Sequence, residues 1–152
     1  MSAHHASALI PPRRPLAKAR HAALSPAPLF FAALGAAGMA ALWVLVAIFL
    51  QRHSAWMAVL AAADIALLLR IAEARPGRQR AALCMLATTA TVVGANWGIS
   101  GTRTGQAFGY GTLESLRSLG PELAWTLAQL GNHGTELALY AAALAVAWWL
   151  GR

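Results

Sequence analysis

The chain has 152 residues, of which 59% are hydrophobic and only 11% charged, with a mean hydropathy of +0.55. Soluble domains carry about 25% charged residues, so this composition excludes an ordinary water-soluble globule and points to lipid. Twelve Lys and Arg against five Asp and Glu give a net charge of +7. The basic residues lie between apolar runs rather than on an aromatic-bearing surface, which argues against a nucleic-acid partner.

Residues 1–28 hold Arg13, Arg14, Lys18 and Arg20, no acid, and five prolines. Such a segment cannot bury a core, and the reading is a disordered, basic cytoplasmic tail. A cleaved signal peptide is the competing reading. The apolar run that follows has 22 residues rather than the 7–15 of a signal sequence, which argues against it.

That run, Leu29–Leu50, has no charge, no Asn or Gln and no Pro. As a helix it would extend about 33 Å, enough to cross a hydrocarbon core of about 30 Å. After a polar turn at residues 51–54, Ala55–Ala72 reads as a second span, with Trp56 as an interfacial anchor and Arg70 placed to snorkel. Glu73–Arg80 forms a Pro-Gly hairpin carrying three arginines. Ala81–Ile99 is the third span, and its small residues, including Gly94 and Gly98, predict the packing centre of a bundle.

Residues 100–111 are rich in glycine and are expected to be loop. Over residues 112–130, Leu113, Leu116, Leu119, Leu123, Leu127 and Leu130 recur at helical steps, predicting two short amphipathic helices broken at Gly120-Pro121. Residues 131–134 read as a turn, Thr135 as an N-cap, and Glu136–Leu150 as the fourth span, anchored by Trp148 and Trp149. The fold class is therefore all-α: a polytopic integral membrane protein with four transmembrane helices and an amphipathic segment between the third and fourth. With both termini cytoplasmic, nine basic residues fall inside and Arg52, Arg103 and Arg117 outside. That bias predicts a bacterial-type inner membrane with both ends in the cytoplasm.

Two groups of residues carry candidate chemistry. Asp64 lies near the middle of the second span, where a carboxylate costs about 2.5–3.5 kcal/mol on insertion scales. It reads either as a proton or cation site, or as a neutral acid bonded to Thr88, Thr89 or Thr91 and serving packing alone. The outer face gathers Asn96, Trp97, Arg103, Tyr110, Glu114, Arg117, His133 and Glu136. There Arg103 and Arg117 suit a lipid phosphate, and Trp97 or Tyr110 suit its glycerol and acyl region. No catalytic set, metal-ligand spacing, facing haem histidines or phosphate loop is present, so neither catalytic residues nor a cofactor or metal are assigned. Cys84, the one cysteine, is read as packing.

Residues 95–131, ANWGISGTRTGQAFGYGTLESLRSLGPELAWTLAQLG, resemble a stretch of the sulfatase/alkaline-phosphatase-superfamily transferases, the lipoteichoic acid synthase-like and phosphoethanolamine transferase enzymes. The matching stretch follows the third membrane helix of their membrane domain: an Asn or aromatic, a Tyr/Phe-Gly loop, then a Leu-rich amphipathic segment. The resemblance covers about 37 residues and the order of spans. This sequence departs from the pattern in carrying four predicted spans rather than five and no large catalytic domain. Leu113 also intervenes before Glu114, where those families place an acid. The resemblance implies a membrane module without transferase chemistry of its own.

Three functions follow as expectations. The first is a non-catalytic membrane module that binds a lipid or a partner protein through its outer amphipathic segment. The second is a small transporter or channel subunit using Asp64, and the third is the membrane part of a phospholipid headgroup transferase. Membrane lipids, a partner membrane protein or further copies of the chain are the expected partners.

Overall fold

The computed structural model of the chain describes residues 26–51, 54–109 and 134–152, with single positions 120, 122, 125, 126 and 129 between the last two blocks. Every long element among them is a helix: α1 (Pro26–Leu50), α2 (Met57–Ile71), α3 (Arg78–Phe108) and α4 (Gly134–Gly151). By length and composition α1, α3 and α4 can each cross a membrane. With 15 residues, α2 is about 22 Å long. A turn at its start, in which Met57 N–H donates to Ser54 O at 2.9 Å, carries the chain back toward the expected beginning of the span.

The distribution of side-chain size explains the packing. Small residues line the interior, with Ala58, Ala61, Ala62, Ala143 and Ala147 buried, whereas Leu34, Leu45, Phe49, Leu67, Leu86 and Trp149 face outward. A protein folding in water would place the large side chains inside. In lipid the exterior is as apolar as leucine, so association depends on close backbone approach, and small residues give that. The outward-facing leucines and the three long apolar helices together mark a membrane protein.

The helices alternate in direction. At the centre, α2 and α3 form an antiparallel hairpin; α1 packs against both on one side and α4 against both on the other. Among the described residues α1 and α4 have no backbone approach and occupy opposite corners. Along the parallel α1–α3 seam, Thr91 Oγ1 donates to its own-helix Ala87 O at 2.9 Å and lies 3.4 Å from Ala36 O. A Cβ placed at Gly94 would touch Ala40 at 3.6 Å, and one at Gly98 would lie 2.6 Å from Val44 Cγ2. The two glycines thus take part in the closest approach of α3 to α1, as their spacing predicts.

Several expectations change. Residues 100–108 are not loop: α3 continues to Phe108 and stops at Gly109, whose φ of 72° and N–H to Gly105 O form a left-handed C-cap. Glycine argued for a break on propensity. Here Gly101 and Gly105 are buried, so the missing side chains permit packing, and Thr102 and Thr104 hydroxyls bond Gly98 O and Ser100 O within the helix. The first helix begins at Pro26 rather than Leu29, with Pro26 and Pro28 in its first turn, where a missing N–H costs nothing. The third begins at Arg78 rather than Ala81. Thr135 is not an N-cap but lies inside α4, its hydroxyl donating to Glu136 Oε2 at 3.1 Å. Of the amphipathic segment, Glu122, Trp125, Thr126 and Gln129 are helical and exposed, and Thr126 Oγ1 donates to Glu122 O at 2.9 Å. Residues 1–25 and the rest of 112–130 lie outside the described residues.

Candidate functional site

Three side chains from three helices meet in the half of the bundle farthest from the α2–α3 loop. Asn96 of α3 donates through Nδ2 to Val92 O at 2.9 Å and to Tyr140 Oη of α4 at 3.3 Å. The Tyr140 ring lies 6.2 Å from the ring of Trp43, which is buried on α1. This contact links the two corner helices across the core. The sequence reading named Asn96 but missed Trp43 and Tyr140. Their signal was there: a buried Tyr hydroxyl inside an apolar helix needs a partner, and Trp43 stands well inside its span rather than at an interface.

Above this cluster, α3 runs on for twelve residues. Arg103 lies two turns beyond Asn96 on the same face of the helix and is exposed. Arg80, near the other end of α3, is 23 residues away, about 35 Å along the axis at about 1.5 Å per residue. The two guanidiniums therefore bracket a distance close to the thickness of a hydrocarbon core. Trp97, 37% exposed, is on the outward surface of α3 about 9 Å below Arg103. On α4, Glu136 is half-buried in the first turn, one turn before Tyr140, where a carboxylate suits the positive helix N-terminus.

The opposite end of the bundle is built by arginines. Arg80 Nε donates to Gly151 O at 2.9 Å and its Nη1 to Ala74 O at 3.3 Å, while Arg70 Nη2 reaches Leu150 O at 3.4 Å. The last carbonyls of α4, left without helical partners, are thus capped by cations that also complement the helix dipole. Arg152 lies over the Trp148 ring at 5.0 Å. A methyl group at Gly151 would fall 2.6 Å from Ala81 Cα, so this glycine is what allows α4 to meet the start of α3.

Asp64 sits at the midpoint of α2, seven residues from either end, partly exposed beside α1. The expectation that it bonds Thr88, Thr89 or Thr91 is not met. Those hydroxyls donate to Cys84 O, Met85 O and Ala87 O of their own helix. The carboxyl instead lies near Gly35 of α1, where an added Cβ would be 3.8 Å from Asp64 Oδ2. Cys84 is buried, its thiol 3.8 Å from Ala62 O, in keeping with packing.

Of the residues singled out in the sequence, the structure joins Asn96 to Tyr140, which was not among them, and sets Arg103 and Glu136 on the same end of adjacent helices. Asp64 stands apart. Tyr110, Glu114, Arg117 and His133 lie outside the described residues. No group of three or more His, Cys, Asp or Glu among the described residues is arranged to hold a metal ion. No family model, curated protein or solved structure matches the chain.

Proposed function

We propose that this chain is a four-span module of a bacterial-type inner membrane, both termini cytoplasmic, that holds a phospholipid at its outer end and catalyses nothing itself. The observation that carries the reading is the reach of α3. Its last turns lift the exposed Arg103 to headgroup height, two turns above the Asn96–Tyr140 bond and with Trp97 below at acyl depth. A guanidinium at that height suits a lipid phosphate, and an exposed indole at that lower depth suits the acyl chains. In this placement α2 is the second span, shorter than the others and extended by the turn at residues 54–56, and the arginines at the other end of the bundle face the anionic cytoplasmic leaflet.

Native mass spectrometry of the protein, extracted gently from its own membrane, tests the reading. Retained phospholipid that is lost in Arg103→Ala and kept in Arg152→Ala, at the opposite end, is the expected result. Equal lipid retention in all three proteins would overturn it. So would a lipid-free complex with an unrelated chain, which would make the module an accessory subunit.

A further inference from the structure

Asp64 presents a carboxyl that no other described residue satisfies. It stands about 10 Å from either end of α2. Among the described residues no side chain or backbone group donates to it; Thr88 and Thr89 donate to carbonyls of their own helix, and Thr91 to carbonyls of α3 and α1. The described cations are all elsewhere: Arg70, Arg75, Arg78, Arg80 and Arg152 at one end and Arg103 toward the other. Two oxygens on one side chain, with no further acidic, Cys or His cluster among the described residues, do not make a metal-ion cage.

The carboxyl also opens in a particular direction. On α2 it falls at the edge between the arc facing α1, which includes Ile65 and Met57, and the exposed arc of Leu60, Ala63 and Leu67. Across the seam is Gly35 of α1, and one turn further along is Gly38, exposed, with nothing within 4 Å of an added Cβ. The surface around Asp64 is therefore apolar, and on the α1 side Gly38 leaves a gap between the larger side chains of Leu34 and Leu42, one turn to either side of it.

We propose that this α1–α2 seam is the docking surface for a transmembrane helix of a different protein, one carrying an Arg or Lys at mid-depth that pairs with Asp64. Charge complementarity selects that occupant. A polar group within a bilayer pairs with another, and a cation is the partner that the described residues do not offer this carboxyl. A second copy of this chain has no described basic residue at that depth to offer. Gly38 lets the incoming backbone approach closely, as small residues do between membrane helices. The inference rests on the membrane placement proposed above and is independent of lipid binding by Arg103.

The test uses the full chain in phosphatidylcholine vesicles with two synthetic Leu/Ala transmembrane peptides, one with a central Arg and one with Leu there. Association is read by energy transfer between labels. The Arg peptide is expected to bind about tenfold more tightly than the Leu peptide. That preference should vanish in Asp64→Asn, survive in Asp64→Glu, and weaken in Gly38→Leu, which fills open space without touching the fold. Equal binding of the two peptides, or a preference unchanged by Asp64→Asn or by Gly38→Leu, would overturn the proposal. Asp64-dependent self-association that excludes both peptides would also overturn it, in favour of a second copy. Failure on any of these grounds leaves the Arg103 experiment untouched.

Discussion

Single residues set the ends of these helices, and the end of α2 shows how. Glu73 N–H bonds Arg70 O at 3.0 Å and Ala74 N–H bonds Leu69 O at 3.1 Å, the paired closure that ends many helices. The position between them needs a left-handed backbone, and Glu73 supplies it at a φ of 52°, where a side chain is strained. Glu73→Gly should relieve that strain and raise unfolding stability by about 1 kcal/mol, measured in detergent micelles or bicelles. An unchanged or lowered stability would mean that the Glu73 side chain contributes something the backbone geometry does not reveal.

Among the elements, α2 and α3 organise the fold because each touches all three others, and α3 is the one that runs parallel to α1. Its seam with α1 depends on glycine at one level: an added side chain at Gly98 meets Val44 at 2.6 Å, whereas Gly38 on the open side of α1 meets nothing. Gly98→Ile should therefore lower stability by about 1–3 kcal/mol through overpacking, and Gly38→Ile should change it little. Equal effects of the two substitutions, measured by reversible unfolding, would contradict the seam. A close approach at α3 was legible in the sequence because Gly94 and Gly98 are one turn apart inside an apolar run, but its partner, α1, was not. Nor was the length of α3. Gly101, Gly105 and Gly109 look alike in sequence, yet the first two are buried within the helix and only the third ends it, at positive φ. What separates them is burial by neighbouring structure, which local propensity does not contain. The same limit hid the Asn96–Tyr140 bond, whose partners are 44 residues apart. It also misassigned the threonines, whose i−4 carbonyls compete with any cross-helix acceptor.

For the whole molecule the two ends are chemically unlike. One gathers Arg70, Arg75, Arg78, Arg80 and Arg152, and the other carries Arg103, Glu136 and the cluster below them. Single cysteines placed at residues 75 and 103, on a Cys84→Ala background, read out which end faces which compartment. A membrane-impermeant maleimide added to intact cells should modify the cysteine at 103 at once and the one at 75 only after permeabilisation. The reverse pattern would invert the orientation, and modification of both from one side would mean that α3 does not cross. Cys84 itself is buried, so its replacement should cost little beyond a small packing loss.

The corner position of α4 bears on how the molecule is made. Chains emerge from the ribosome N-terminus first, so among α1 to α4 the last to arrive is α4. Until it docks, Asn96 has no Tyr140 hydroxyl across from it, Arg80 has no Gly151 carbonyl to hold, and the small residues that face α4 lie open to lipid. A chain interrupted after α3 would thus keep the bonds Asn96 makes to Val92 O and Arg80 to Ala74 O, and expose both groups along one flank. Arrival of the last helix hides them all in a single docking step.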